Sequence, residues 1–302
     1  MRRLLPMKME NNAKILVFGA NGQVGKALSR LLSRDQVILV DRLQADLAQD
    51  GNCLSVLNHH RPQAVINAAA YTQVDLAEKE MELARKINAD APSEIASWCA
   101  QNRIPFVHLS TDYVFSGVGD TPWKESDPIT PLNVYGKTKA EGEEKVSIIG
   151  GKFLIFRTSW VYDSQGKNFL RTMLKLGHER ESLRIVQDQF GAPTFATEIA
   201  KGILKALESS VRMSQFPSGI YHLCNSGVTN WFHFAEMIFE IARSQGLLLK
   251  IKTVEPILSD EFPTPAPRPK NSRLNTQKIH DTFGIRLPEW SESLRICLQE
   301  IK

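Results

Sequence analysis

Long apolar runs are missing from this 302-residue chain. None approaches the roughly 18 residues of a membrane-crossing helix, so no span is expected. The basic start, MRRLLPMKMENNAK, lacks the apolar core of a secretory signal. Residues 1–12 read as a disordered extension, with Met7 or Met9 as alternative starts. Cysteine is scarce: Cys53, Cys99, Cys224 and Cys297 lie far apart and form neither a CxxC pair nor a disulfide framework. That usage fits a reducing cytoplasm. The histidines, His59, His60, His108, His178, His222, His233 and His280, show no ligand spacing such as HExxH, so no catalytic metal is expected. GxSxG and P-loop patterns are also missing, which sets aside two large hydrolase classes. Nor does charge of one sign accumulate. The 37 Lys and Arg against 33 Asp and Glu leave +4, with no block of like charges, and nothing points to nucleic acid.

What is there has an ordinary globular composition, 42% hydrophobic and 23% charged. KILVFGA (14–20) is a short apolar run followed by glycine punctuation and the helical pattern KALSRLLSRD. Further apolar runs at 36–41, 64–70, 105–115 and 152–162 alternate with helical segments. The fold class expected is therefore α/β, a Rossmann-like doubly wound parallel sheet. Past residue 160 the pattern loosens. A strand and loop at 182–194, a helix at 197–210, a strand at 218–225, a helix at 231–246 capped by Thr229 or Asn230, and a strand at 247–254 suggest a smaller C-terminal α/β substrate-binding lobe. The division is mainly 13–160 for the dinucleotide-binding domain and mainly 161–302 for the lobe, with some later segments returning to the first domain.

The chemistry-bearing motifs sit at strand ends. GANGQVG places Gly19, Gly22 and Gly25 between a strand and a helix, a turn that lets backbone approach a pyrophosphate at the helix N-terminus. Asp41 closes the second strand, where a carboxylate meets adenosine ribose hydroxyls, while its neighbour Arg42 suits a 2′-phosphate; NADH and NADPH both stay open. Ala68, Ala69 and Ala70 after the third strand allow a cofactor against the backbone, or close helix packing. Ser110, Thr111 and Asp112 end the fourth strand, where a hydroxyl can polarise a carbonyl or simply cap a turn. In YGKTKAEGE, Tyr135 and Lys139 are one helical turn apart. A nearby ammonium favours a phenolate, so this pair can deliver a proton to an alkoxide as it forms. The following carboxylates Glu141, Glu143 and Glu144 read as a solvated face, and PTPAPRPKNSR (263–273) as either a ligand-engaging segment or a stiff surface loop.

GANGQVG, STDYVF and YGKTK together resemble the extended short-chain dehydrogenase/reductase family. More narrowly, NAAAYTQVDLAEKE, PLNVYGKTKAEGE, FRTSWVY, DQFGAPT and FPTPAPRPKNSRLNT, in that order, are similar to its dTDP-4-dehydrorhamnose reductase branch. The resemblance implies reduction of the C4 keto group of a dTDP-linked sugar by NADPH or NADH in the cytoplasm, with Thr111, Tyr135 and Lys139 catalytic. It implies cofactor contacts at Asn21, Gly22, Gln23, Val24, Asp41, Asp46, Leu47, Ala70, Tyr71 and Thr72, and substrate contacts at Thr111, Asp112, Trp160, Arg268 and Asn271. Some members bind Mg²⁺ at a homodimer interface through glutamates. The comparable positions here are Ala27 and Thr197, so the resemblance does not carry the metal over, and a homodimer is left open. Two rivals share the scaffold: a dinucleotide-binding regulator without catalysis, against which the intact Thr111, Tyr135 and Lys139 argue, and a nucleotide-sugar epimerase or dehydratase that retains its NAD.

Overall fold

Alternation along the strands dictates the layers. β1 (Ile15–Phe18) turns Ile15 and Val17 to one face and Leu16 and Phe18 to the other, and all four are buried. A strand apolar on both sides needs helices on both sides. The structure, a computed structural model, describes residues 14–301; the extension expected at residues 1–12 lies outside them. β2 (Val37–Val40), β3 (Ala64–Asn67), β4 (Phe106–Thr111), β5 (Phe153–Thr158) and the strand Gly219–His222 complete a six-stranded sheet. Its order is Gly219–His222, β5, β4, β3, β1, β2, with every pair parallel. The direction of winding reverses between β1 and β3, which opens a crevice at their carboxyl ends.

One face is covered by α1 (Gln23–Leu31) and the helices Ala196–Arg212 and Gln277–Phe283. The other is covered by α2 (Asn52–His60), reached after β2, and then, past the short α3 (Val74–Ala77) and α4 (Met81–Arg85), by α5 (Ala91–Gln101) and α6 (Val134–Ile149). Helix Ala196–Arg212 and strand Gly219–His222 belong to the Rossmann layers although they arise late, because a parallel partner for β5 requires a long crossover. A second core holds Tyr162, Leu170, Phe195, Phe234, Trp290 and Leu294, beside a parallel pair Ser182–Val186 and Thr253–Ile257.

Two local expectations change in detail and a third is narrowed to one of its two alternatives. The strand expected at 247–254 begins only at Thr253. Leu247, Leu249 and Ile251 pack on the second core as irregular chain, and the N–H groups of Lys250 and Ile251 both donate to the Gly177 carbonyl, at 2.8 and 3.0 Å. A helix-end carbonyl thus supplies the partner that a strand would have needed. The cap of helix Trp231–Ser244 is Asn230, whose Oδ1 accepts from the His233 N–H at 2.8 Å. The fourth strand stops at Thr111, whose hydroxyl accepts from the Tyr113 N–H at 3.2 Å and starts a short 3-10 turn. Among the described residues no helix is long and apolar enough to cross a membrane.

Candidate active site

The turn after β1 is built for close approach. Gly19 has φ +80°, and a Cβ there would lie 2.6 Å from Ala69 N, so the ends of β1 and β3 meet backbone to backbone. α1 then begins at Gly22 with no side-chain cap and no acidic residue in its first turn. Its unpaired N–H groups and positive dipole end suit an anion. Gly25 stands behind this turn, where a Cβ would lie 2.2 Å from the Gly19 carbonyl oxygen; its role is packing. Asp41 accepts from Asn21 Nδ2 at 3.1 Å and from the Leu43 N–H at 3.0 Å. Arg42 pairs with Asp46 at 3.3 Å and stays 75% exposed.

These residues wall a cleft of about 750 Å³ along the switch point. Gly19, Asn21, Gly22, Gln23, Val24, Asp41, Arg42, Asp46, Leu47 and Ala68 to Thr72 line it, as do Tyr135 and Lys139. Ser110, one of the three strand-end residues singled out in the sequence, also faces it, as does Thr158, which the sequence reading left out. Ser110 and Thr158 present buried hydroxyls with no hydrogen-bond partner. Each occupies the carboxyl end of a central strand, and that position was the available signal. Lys26 and Lys167 add positive charge to the wall. A glycine cradle, an uncapped helix end, nearby lysines and orphaned hydroxyls fit a dinucleotide.

α6 carries Tyr135 and Lys139. Asn133 Oδ1 caps it by accepting from the Gly136 N–H at 2.8 Å. A Cβ at Gly136 would lie 2.2 Å from the Tyr113 carbonyl oxygen, so α6 lies against the turn after β4 and Tyr135 comes beside Thr111. Burial pushes the Tyr135 phenol up to about 12, with the Thr111 hydroxyl working the other way and the Asp112 charge adding to the rise. Lys139 is 1% exposed. Its Nζ donates to the Leu109 carbonyl at 2.5 Å and lies 3.2 Å from His108 Nε2. Burial lowers it to about 8, against the charge of Glu143. The lowering of the phenol expected from an adjacent ammonium is therefore not what burial alone produces. Glu143 corrects a second expectation: it is buried, and holds Arg157 of β5 through two bonds of 2.9 and 2.6 Å. Four residues after Lys139, it shares the inner face of α6.

Thr111, Asp112, Trp160, Arg268 and Asn271 lie outside the lining of the dinucleotide cleft. Thr111 donates to Asp112 Oδ1 at 3.1 Å. Trp160 has φ +49° and stacks on Trp231 at 3.8 Å between ring centroids. Segment 263–273 is anchored rather than loose, since Arg268 pairs with Asp75 at 2.7 Å and the Pro267 carbonyl accepts from Asn133 Nδ2 at 2.9 Å. Asn271 points inward; its amide donates to the Thr121 carbonyl at 2.9 Å and its Oδ1 accepts from the Arg273 N–H at 3.3 Å. These bonds make it a staple for the loop after β4. Ala27 is buried in α1, and the Thr197 hydroxyl accepts from Arg30 at 3.2 Å. Among the described residues no group of three or more His, Cys, Asp or Glu is placed to hold a metal ion.

Residues 13–302 match the family described as RmlD substrate binding domain. The dTDP-4-dehydrorhamnose reductase of Burkholderia thailandensis is 42% identical, over 95% of this chain and 99% of its own length. That of Escherichia coli K12 is also 42% identical, over 95% and 97%. Among solved structures, the dTDP-4-dehydrorhamnose reductase of Bacillus anthracis in complex with NADP superposes with a TM-score of 0.88 at 34% identity, covering 96% of this chain and 99% of that one. On the extent of the family match and the identity of these relatives, the chain belongs to the RmlD substrate binding domain family, the family of the dTDP-4-dehydrorhamnose reductases.

Proposed function

We propose that this chain is a cytoplasmic reductase that uses NADPH or NADH to convert the C4 keto group of dTDP-4-dehydro-6-deoxy-L-mannose into the hydroxyl of dTDP-L-rhamnose. The observation that carries the reading is one junction: the phenol of Tyr135 and the buried Lys139 line the same cleft as the glycine turn, with the Thr111 hydroxyl beside Tyr135. The names of the relatives supply the sugar nucleotide, and the NADP of the Bacillus anthracis protein supports the cofactor class.

In this reading Asn21 to Val24 hold the pyrophosphate at the start of α1, Asp41 or Arg42 meets the adenosine ribose side, and Ala68 to Thr72 form the floor. The bound nicotinamide supplies the hydride. Thr111 hydrogen-bonds the keto oxygen, and the Tyr135 phenol donates its proton to O4 as negative charge develops there. Lys139 holds the nicotinamide ribose, and its charge, poorly screened at 1% exposure, favours the phenolate left behind. Asp112 and Trp160 border the sugar, and Arg268 orders the strap beside it.

The test mixes purified protein, NADPH or NADH, and the dTDP-4-keto sugar made in situ by the preceding enzymes, and follows loss of the reduced-nicotinamide absorbance. Oxidation by the wild type should fall roughly 10²- to 10⁴-fold in Tyr135→Phe, with cofactor binding kept. A wild-type protein that binds both cofactors yet oxidises neither would sink the reading in favour of a dinucleotide-binding regulator.

A further inference from the structure

Asn67, His108 and Lys139 form a buried polar chain across three elements. Asn67 ends β3, His108 lies within β4 and Lys139 within α6, and none is more than 1% exposed. Asn67 Oδ1 accepts from the Ala69 N–H at 3.0 Å, which settles the orientation of the amide. Its NH₂ group therefore faces His108 Nδ1, at 3.3 Å. An amide nitrogen only donates, so Nδ1 is the acceptor. A neutral imidazole with an accepting Nδ1 carries its proton on Nε2. Nε2 is 3.2 Å from Lys139 Nζ, and a donating Nε2–H needs a lone pair on Nζ. The amine has one; the ammonium has none. Charging Lys139 would make Nε2 the acceptor and move the ring proton to Nδ1, where it would point at the Asn67 NH₂.

We propose that Asn67 and His108 are positioning residues that couple the tautomer of the imidazole to the charge of Lys139 and favour the amine form. The Leu109 carbonyl accepts from either form of Nζ and more strongly from the ammonium, so it works against the imidazole rather than with it. The ring stays neutral throughout, since burial and then the Lys139 charge hold it well below the ordinary histidine value.

Other charged or titratable groups around α6 are engaged elsewhere or lie a turn away. On α6 itself are Tyr135 and Glu143, the latter held by Arg157 of β5. Asp112 and Tyr113 follow β4. From the side of α3, Asp75 pairs with Arg268 and Glu78 accepts from the Val134 N–H. From the side of α4 and α5, Arg85 and Asp90 engage Glu141 and Lys145, Lys86 pairs with Asp50, Glu94 accepts from the Gly51 N–H, and Glu82 opens α4. The pH at which Lys139 gains its charge, and with it the tuning of the Tyr135 phenol, is thus set in part by where one imidazole proton sits. The consequence for turnover rests on the role assigned to Lys139 above; the coupling itself does not.

The experiment titrates full-length protein labelled with ¹⁵N-histidine and ¹³C-lysine, without cofactor, by NMR. His108 and Lys139 signals are assigned by their loss in His108→Gln and Lys139→Met. Above the Lys139 midpoint, Nδ1 should be the unprotonated nitrogen and Nε2 the protonated one, and the pattern should invert with the same midpoint as Lys139. In His108→Gln the side-chain amide can turn its oxygen to Nζ, so the Lys139 midpoint should rise by about one unit or more, the scale of one hydrogen bond. A tautomer that stays unchanged through the Lys139 titration, or a midpoint unmoved or lowered in His108→Gln, overturns the proposal. The wild-type titration stands even if the variant fails to fold. Neither measurement needs turnover, so a failed reductase reading would show separately in the oxidation assay.

Discussion

Replacing Asp112 by asparagine isolates the cost of one buried charge. Asp112 is 2% exposed. Its Oδ1 accepts from the Thr111 hydroxyl, while Oδ2 is buried without a partner. An ionised carboxylate in that position loses water and gains too few donors. Burial therefore raises its pKa from 3.8 to about 6, with local hydrogen bonding, that of the Thr111 hydroxyl included, offsetting only part. Because the folded value is raised, the stabilisation belongs to the protonated form. It is fully present below 3.8 and is lost as pH rises through about 6. The difference corresponds to roughly 3 kcal/mol. Asparagine has no proton to release, so the variant should lack this dependence. The assay is urea unfolding at closely spaced pH values across that window, comparing variant with wild type so that other titrating groups cancel. Asp112→Asn should gain on the wild type by about 3 kcal/mol from the acid side to the alkaline side. A difference that stays constant within roughly 0.5 kcal/mol would show that the carboxylate is not desolvated, and the reasoning would fail.

Two further substitutions follow from the packing. Arg157→Leu leaves Glu143 buried and unpaired, and should cost about 3–5 kcal/mol by urea unfolding; adding Glu143→Leu should restore more than half, whereas additive losses would mean that the two charges do not depend on each other. Gly19→Ala forces a side chain into a backbone at φ +80° and 2.6 Å from Ala69 N. It should cost about 1–3 kcal/mol of stability and abolish NADPH binding followed by nicotinamide fluorescence, and unchanged affinity would remove the glycine turn from the cofactor site.

Local patterns made much of this protein legible. Ile15 to Phe18 read as a doubly covered strand because their alternation fills two cores, and the glycines after it read as a turn because few other residues accept that backbone. The spacing of Tyr135 and Lys139 likewise puts them on one face of a helix without reference to anything else. Other features had no local signature. Glu143 sits in a charged stretch that looks solvated, and its partner Arg157 comes from β5. Thr158 is an ordinary strand residue until β5 ends at the cleft. Asn271 donates to the Thr121 carbonyl 150 residues away in sequence, a bond with no local signature. The apolar run 247–252 carries strand-like residues, yet the Gly177 carbonyl takes two of its N–H groups.

The sequence by itself determined the α/β class, the parallel core strands, the glycine turn and the one-turn spacing of phenol and lysine, since each depends on side-chain period or on backbone freedom within a few residues. Only the tertiary structure decided which charges are buried, which hydroxyls lack partners and how the imidazole of His108 meets Nζ of Lys139. Those properties depend on solvent exclusion and on the direction of lone pairs, and both are created by groups that meet only when distant strands and helices pack together.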